Sequence, residues 1–500
     1  MSGPRSGEHG IARNTAYNMA GSILPIAVTL VTVPLYLHQI GQARYGLLAI
    51  VWLILGYFSI FDMGLSRATA NLTAKWREHP AEDRQSLFWT ALSMNALFGL
   101  LGGLLFWLLG GLLLEDVVKM PLALRTEVTS ALPWITLAIP LITVSGVLTG
   151  TLEGNNRFLT VNVISVVGSV MFAVVPLVIA FAWSHSLVWL IPAAVLTRAI
   201  FAVPLLVFAL RALPRPGFVR PSPAIARKLV GYGGWVMVTN VLSPVLEAAD
   251  RMLIATVLGV TAVTAYTIPF NLADRLRIIP RALGRTLFPH LSTLDADMAK
   301  RTSQANVRAL GKVMALMVSL AILGLHLFFS LWIKPEFAEQ SAPVGEILLV
   351  GLWINGIAFL PFSLLQSQGR PDLTAKFHAL ELIPFLGILW VGMQWLGLEG
   401  AALAWALRAL VDAALLFWVT GLTAAAVADL WPAFFALGGS ALLAATLPDE
   451  SLLKWGLGAL LALGLAAWIW QSEPGLRGHV LRRFPNLRRI PFCKTPSPLP

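Results

Sequence analysis

The chain has 500 residues, of which 57% are hydrophobic and 12% charged, and a mean hydropathy of +0.75; soluble domains carry roughly 25% charged residues. That composition excludes a soluble enzyme or a nucleic-acid-binding domain and requires a polytopic membrane protein, so the net charge of +11 is read first as membrane topology. The single cysteine, Cys493, stands in the C-terminal tail, so no internal disulfide is expected.

From the N-terminus, Arg5 and Arg13 precede an apolar run that continues to about Leu37. This is too long for a signal-peptide core and right for a retained first span. Runs of about 20 apolar residues then recur, giving spans at 15–37, 45–64, 86–114, 128–152, 159–183, 187–210, 229–250, 262–284, 309–333, 344–366, 373–395, 400–425, 431–447 and 451–471. The pattern predicts an all-α protein of fourteen transmembrane helices. With both termini in the cytoplasm, 24 of the 36 Lys and Arg residues fall in cytoplasmic segments, 6 in periplasmic ones and 6 inside spans, as the positive-inside rule requires. The basic stretches 211–228 and 476–494 become a cytoplasmic linker and tail, anchored near anionic lipid.

The linker divides the chain into an N-terminal six-helix lobe (1–210) and a C-terminal one (229–425), followed by two further helices (426–471) and the tail (472–500). The lobes resemble each other. "IGQARYG" (40–46) answers "LGVTAVTAYT" (258–267), and "TGTLEGNNRFLT" (149–160) answers "LLQSQGRPDLT" (364–374). The offsets, 221 for Tyr45 to Tyr266 and 214 for Thr160 to Thr374, agree to within a short indel. An even number of helices per repeat makes the repeats parallel, with a substrate path expected at their interface. Spans thirteen and fourteen are nearly free of polar residues and are expected to face lipid.

A charged residue at mid-span costs about 2.5–3.5 kcal/mol on insertion scales and therefore faces the bundle interior or a wet cavity. Span eight, "AYTIPFNLADRLRIIPRALGRTLFP" (265–289), concentrates such residues. On a continuous α-helix Asp274, Arg277, Arg281 and Arg285 form one stripe about 16 Å long. Asn271 adds to the seam, Arg275 lies roughly 100° away, and Pro269 and Pro280 permit kinks. One carboxylate cannot neutralise so many guanidinium groups, so the segment is net positive and suits phosphate or carboxylate oxygens; pairing of Asp274 with Arg277 or Arg275 is the structural alternative. At an offset of 221 the stripe aligns with Leu53, Gly56 and Ile60, so the positive charge is expected to be lopsided. Arg198 on span six is a further anion contact from the first lobe.

Among the remaining candidates, Arg408 and Asp412 are spaced for an intrahelical salt bridge. Glu381 is a candidate ion-coupling site, as are Asp250 and Glu247 at the end of span seven, beside Arg251. Asp62 and Arg67 are read as capping or snorkelling residues. The chain has no GK[ST] phosphate loop, GxGxxG, HExxH or CxxC, and no catalytic residue, metal site or cofactor is assigned. The acidic pair Glu115 and Asp116 is the one enzyme-like feature, compatible with lipid-linked glycosyl transfer or with a solvated loop.

Residues 14–70, 250–292, 361–384 and 397–416 carry a resemblance to the polysaccharide repeat-unit (O-antigen) flippases of the multidrug/oligosaccharidyl-lipid/polysaccharide exporter superfamily, over roughly residues 11 to 425. The resemblance implies a V-shaped bundle of two six-helix lobes that alternates between inward-open and outward-open states. It implies a cationic cavity that takes the pyrophosphate and sugars of a polyprenyl-linked oligosaccharide, with Arg275, Arg277 and Arg281 where the family carries positive charge. It further implies the bacterial inner membrane, energy from an ion gradient, and a polysaccharide polymerase and chain-length regulator as partners. A lipid II flippase and a multidrug or cation antiporter of the same fold remain alternatives, though the absence of a carboxylate from the first span speaks against drug export.

Overall fold

The computed structural model describes residues 5–57, 62, 64–112, 118–214, 217–230, 249–291, 293–422, 428–475 and 477–478. Among these residues there is no strand. The helices are α1 (Arg5–Tyr57), α2 (Leu65–Lys75), α3 (Ala81–Leu112), α4 (Leu122–Gly154), α5 (Phe158–Ala182), α6 (Leu187–Arg211), α7 (Val260–Asp274), α8 (Ile278–Leu291), α9 (Ala296–Trp332), α10 (Pro335–Ser367), α11 (Pro371–Thr420), α12 (Trp431–Thr446) and α13 (Leu452–Ser472). Nine helices among the described residues are long and apolar enough to cross a membrane.

That number differs from fourteen for local reasons. Two helices each hold two apolar runs joined at a glycine: Gly41 in α1 (φ 76°, ψ 169°) and Gly397 in α11 (φ 55°, ψ −130°). Positive φ costs glycine nothing, so each supplies a turn between two spanning arms. In α11 the arms close tightly, since a β-carbon on Gly400 would lie 1.9 Å from the Gly392 carbonyl oxygen. The middle of expected span seven, 231–248, lies outside the described residues. Expected span eight is divided: α7 ends at Asp274, Arg275–Arg277 form a 3₁₀ turn, and α8 follows. Pro280 accounts for the break, because it offers no N–H to the Leu276 carbonyl and its ring crowds that group. α12 is the shorter apolar helix.

The chain packs as two compact units, Met1–Thr267 and Ile268–Pro500. In the first, Gly146, Gly150 and Gly154 form a small-residue stripe on α4 that admits the backbone of α2. β-carbons there would fall 2.1 Å from Ser66 Oγ, 2.4 Å from the Ser66 carbonyl oxygen and 2.6 Å from Thr73 Cβ. Such stripes let membrane helices gain dispersion contacts where no hydrophobic force drives association. The segments 40–46 and 258–267, matched above as counterparts in the repeat, touch one another within this unit. Thr264 Oγ1 donates to the Gln42 carbonyl at 2.6 Å, and Gly46 lies against Val260. Lys119 closes the same corner: its N–H donates to Ala255 O (3.1 Å), and its carbonyl accepts from Val260 N (3.3 Å).

In the second unit Trp353 is fully buried, donating from Nε1 to Gly311 O at 2.8 Å and meeting Phe434 of α12 edge-on at 4.8 Å. Leu452, Leu460 and Leu463 expose one face of α13, yet both ends of that helix are tied by polar contacts. Beyond its C-terminal end Lys312 of α9 pairs with Glu473 at 2.7 Å and donates to Ser472 at 2.9 Å. Before its N-terminal end Asp449 binds His326 of α9 at 2.6 Å and the buried Lys454 ammonium. Burial pushes the Asp449 carboxyl up, but hydrogen bonds from Lys454 and His326 outweigh it and hold the group below its ordinary range.

Gly150→Ala is therefore expected to destabilise the first unit by about 1–3 kcal/mol through overpacking, whereas Gly111→Ala, whose β-carbon meets nothing within 4 Å, leaves the melting temperature unchanged. Melting curves of the purified variants check this. A carboxyl held low when folded stabilises above its unfolded pKa, near 3.9 for Asp, and that stabilisation is lost as pH falls through its folded value. Asp449→Asn is expected to lower the melting temperature at neutral pH and to flatten its fall in acid, measured as a pH series on the same preparation.

Candidate functional site

The break in expected span eight sets the geometry of its charges. Side chains three residues apart eclipse on a 3₁₀ turn, so Asp274 and Arg277 face the same way. The Asp274 carboxylate accepts from Arg277 Nη1 at 2.8 Å, with the side chains 30% and 19% exposed. Asp274 thus pairs with Arg277, the structural alternative raised above, and the continuous α-helical stripe is corrected to one interrupted by this turn. Asn271 and Arg281 are exposed. The Arg285 side chain lies outside the described residues. Arg275 turns away from Arg277 and lines an apolar groove with Leu272 and Leu276.

Expected spans eleven and twelve, the two arms of α11, hold a second set of charges. Arg408 does not pair with Asp412 along its own helix; it faces Glu381 of the other arm at 3.6 Å, and Asp412 faces His378 at 3.8 Å. The glycine turn explains the correction, since it folds the arms antiparallel and offers each group a partner across the gap as well as one along the helix. Glu381 and Asp412 are 6% and 7% exposed, and both Glu381 oxygens lack a hydrogen bond. With Arg408 charged, two ionised carboxylates balance only if His378 binds a proton; otherwise one carboxyl must hold it. A buried site of this kind can take up and release a proton or a cation.

Arg198 stands in the first unit, half-buried, with its guanidinium carbon 4.5 Å above the Phe172 ring. It lines a cavity of about 680 Å³ together with Arg67, Glu153, Ser145, Ser165 and Ser169. Ser145 and Ser169 donate to the carbonyls of Leu141 and Ser165, each at 2.7 Å, leaving their oxygens as acceptors toward the cavity. Sequence reasoning missed this hydroxyl wall and treated Arg67 as a snorkelling residue. The signal that could have found it is polar and small residues repeating at helical spacing in two apolar spans, Ser145/Thr149 and Ser165/Ser169.

Asp250 is fully buried, accepting from the Tyr266 hydroxyl at 2.8 Å and the Arg251 N–H at 2.7 Å. It serves here as an acceptor inside the first unit. Asp62 accepts from the Ser66 N–H at 3.1 Å and its hydroxyl at 2.6 Å, as a cap does. Glu247 and the pair Glu115 and Asp116 lie outside the described residues.

Residues 11–295 match the family described as polysaccharide biosynthesis protein. A relative from Shigella flexneri, named "Putative O-antigen transporter", is 27% identical over 410 residues, covering 82% of this chain and 97% of its own. Among solved structures, the lipid II flippase MurJ in an inward closed conformation superposes with a TM-score of 0.71 at 12% identity, over 92% of this chain and 99% of the other. An inward-facing multidrug resistance MATE family transporter gives 0.66 at 13% identity, over 82% and 98%. The expected fold is thereby borne out: an all-α polytopic bundle like those of MurJ and the MATE transporter.

Removing one partner of a buried ion pair leaves its counter-charge uncompensated, at roughly 3–5 kcal/mol. Arg408→Ala is accordingly expected to lower the melting temperature sharply, and the double substitution Arg408→Met/Glu381→Gln to recover most of the loss. An unchanged melting temperature for Arg408→Ala would rule out coupling across the two arms.

Proposed function

The chain belongs to the polysaccharide biosynthesis protein family, and from that premise we propose that it is a flippase for a polyprenyl-pyrophosphate-linked polysaccharide repeat unit, moved from the cytoplasmic to the periplasmic leaflet by alternating access. The observation that carries this reading is the net-positive 3₁₀ turn in an otherwise apolar segment. Arg277 and Arg281 bind the anionic headgroup, Asp274 fixes Arg277 through its 2.8 Å hydrogen bond, and Asn271 contributes a further polar contact. Guanidinium forks match phosphate oxygens in pairs, where a lysine offers a point charge. The hydrogen-bonded fork is preorganised, so less side-chain entropy is lost on binding.

The chain is a transporter and makes no covalent change, consistent with its relative's name and with a fold shared by flippases and exporters. It resides in the inner membrane with both termini cytoplasmic, as the distribution of Lys and Arg supports, and hands its cargo to a polymerase and chain-length regulator. Energy comes from an ion gradient through the network of Glu381, Arg408, His378 and Asp412, whose charge balance changes with one proton. Drug or cation antiport by the same fold is the second reading; the buried Glu381 favours it, and it makes the arginines dispensable.

Complementation of surface-polysaccharide export decides between them. Arg277→Ala in a well-expressed protein is expected to reduce export at least tenfold, about 1.4 kcal/mol of lost binding, with Arg277→Lys intermediate and Glu115→Ala unaffected. Full export by Arg277→Ala would overturn the anion-site reading, and loss with Glu115→Ala alone would favour glycosyl transfer.

A further inference from the structure

We propose that the groove beside Arg275 seats the first part of a polyprenyl phosphate, hydrocarbon in the groove and phosphate on the guanidinium; this rests on the flippase reading and adds to it a site for the lipid. The groove, about 430 Å³, lies wholly in the second unit, where Pro269, Leu272 and Leu276 of the broken span meet Gly324 and Phe328 of α9. That volume falls within the roughly 300–1,000 Å³ of ligand pockets. Its lining is hydrocarbon apart from Arg275, the one charged residue among those that describe it.

Arg275 owes this position to the 3₁₀ turn. A 3₁₀ turn advances about 120° per residue, so Arg275 points away from the face that Asp274 and Arg277 share. The carboxylate of Asp274 is taken by Arg277, and among the described residues no carboxylate pairs with Arg275. A guanidinium at the edge of an apolar groove, within a segment of membrane-spanning composition, calls for an anion. A groove of this lining calls for a chain. One molecule answers both: a phosphate carried on hydrocarbon. Ala273, Ala321 and Gly324 lie among the Leu and Phe side chains that line the groove, and the flippase reading makes the hydrocarbon an isoprenoid.

Gly324 makes the idea testable, because a β-carbon there would meet nothing within 4 Å. Gly324→Leu therefore fills the groove from a helix that tolerates the change, and a melting curve verifies the fold. Binding to the purified full-length chain is measured by native mass spectrometry with undecaprenyl phosphate, undecaprenol and phosphatidylglycerol as probes. Gly324→Leu is expected to weaken undecaprenyl phosphate at least tenfold. Arg275→Ala is expected to weaken it similarly while leaving undecaprenol unchanged. Unaltered undecaprenyl phosphate binding by Gly324→Leu at an unchanged melting temperature, or displacement of the probe by equimolar phosphatidylglycerol, overturns the proposal and identifies an ordinary lipid contact. The flippase reading is judged separately by Arg277→Ala in the export assay, so either can fail while the other stands.

Discussion

A charge inside a bilayer must meet another charge, an aromatic face or water, and nearly every polar feature of this chain follows from that constraint. An uncompensated guanidinium or carboxylate at mid-span costs about 2.5–3.5 kcal/mol even on the mildest scales, so the residues that remain there have partners with particular geometry. Lys312 and Lys454 have carboxylates, and their pairs tie α13 to α9. Arg198 has an aromatic ring, worth on the order of 1–2 kcal/mol when desolvated. That contact leaves its N–H donors toward the cavity available to a ligand. Partnered charges tie the helices together, and the partly partnered ones keep the capacity to bind a further ion.

Glycine and proline determine where those partners meet. Gly397 turns α11 back on itself, and the close Gly392–Gly400 contact lets the two arms approach at backbone distance. Only then do His378 and Glu381 come opposite Asp412 and Arg408. In span eight the agent is Pro280: by removing one hydrogen bond it tightens the preceding turn to 3₁₀ and redistributes the arginines around the axis. The Asp274–Arg277 pair and the Glu381–Arg408 and His378–Asp412 contacts thus depend on neighbouring residues that have no charge at all.

The architecture was legible in the sequence because hydrocarbon thickness dictates run length, and every described apolar run lies on a helix. What hydropathy could not see is where two runs form one kinked helix, since nothing in the sequence sets Gly41 and Gly397 apart from glycines with ordinary helical φ. The pairing of Arg408 was misread for a related reason. Spacing arithmetic sees neighbours along one helix and is blind to a hairpin that offers partners across it. The bond between Asp274 and Arg277 was legible from their separation of three residues, whereas the 3₁₀ turn that eclipses them was not, because proline permits several responses. The hydroxyl wall around Arg198 escaped notice because serines bonded to the preceding turn add little to a hydropathy profile. Their meaning emerges only when α4, α5 and α6 surround one cavity.

The repeat adds a last step. At the offset of 221, Leu53, Gly56 and Ile60 align with Asp274, Arg277 and Arg281, so the charges of that turn belong to one of the two matched segments only. The first half answers with hydroxyl groups, Arg67 and Arg198, drawn from other helices and enclosing a cavity of their own. Hydroxyl oxygens accept from sugar hydroxyls and guanidinium forks bind phosphate, so each unit by itself offers a chemically different surface, where identical halves would offer the same one twice.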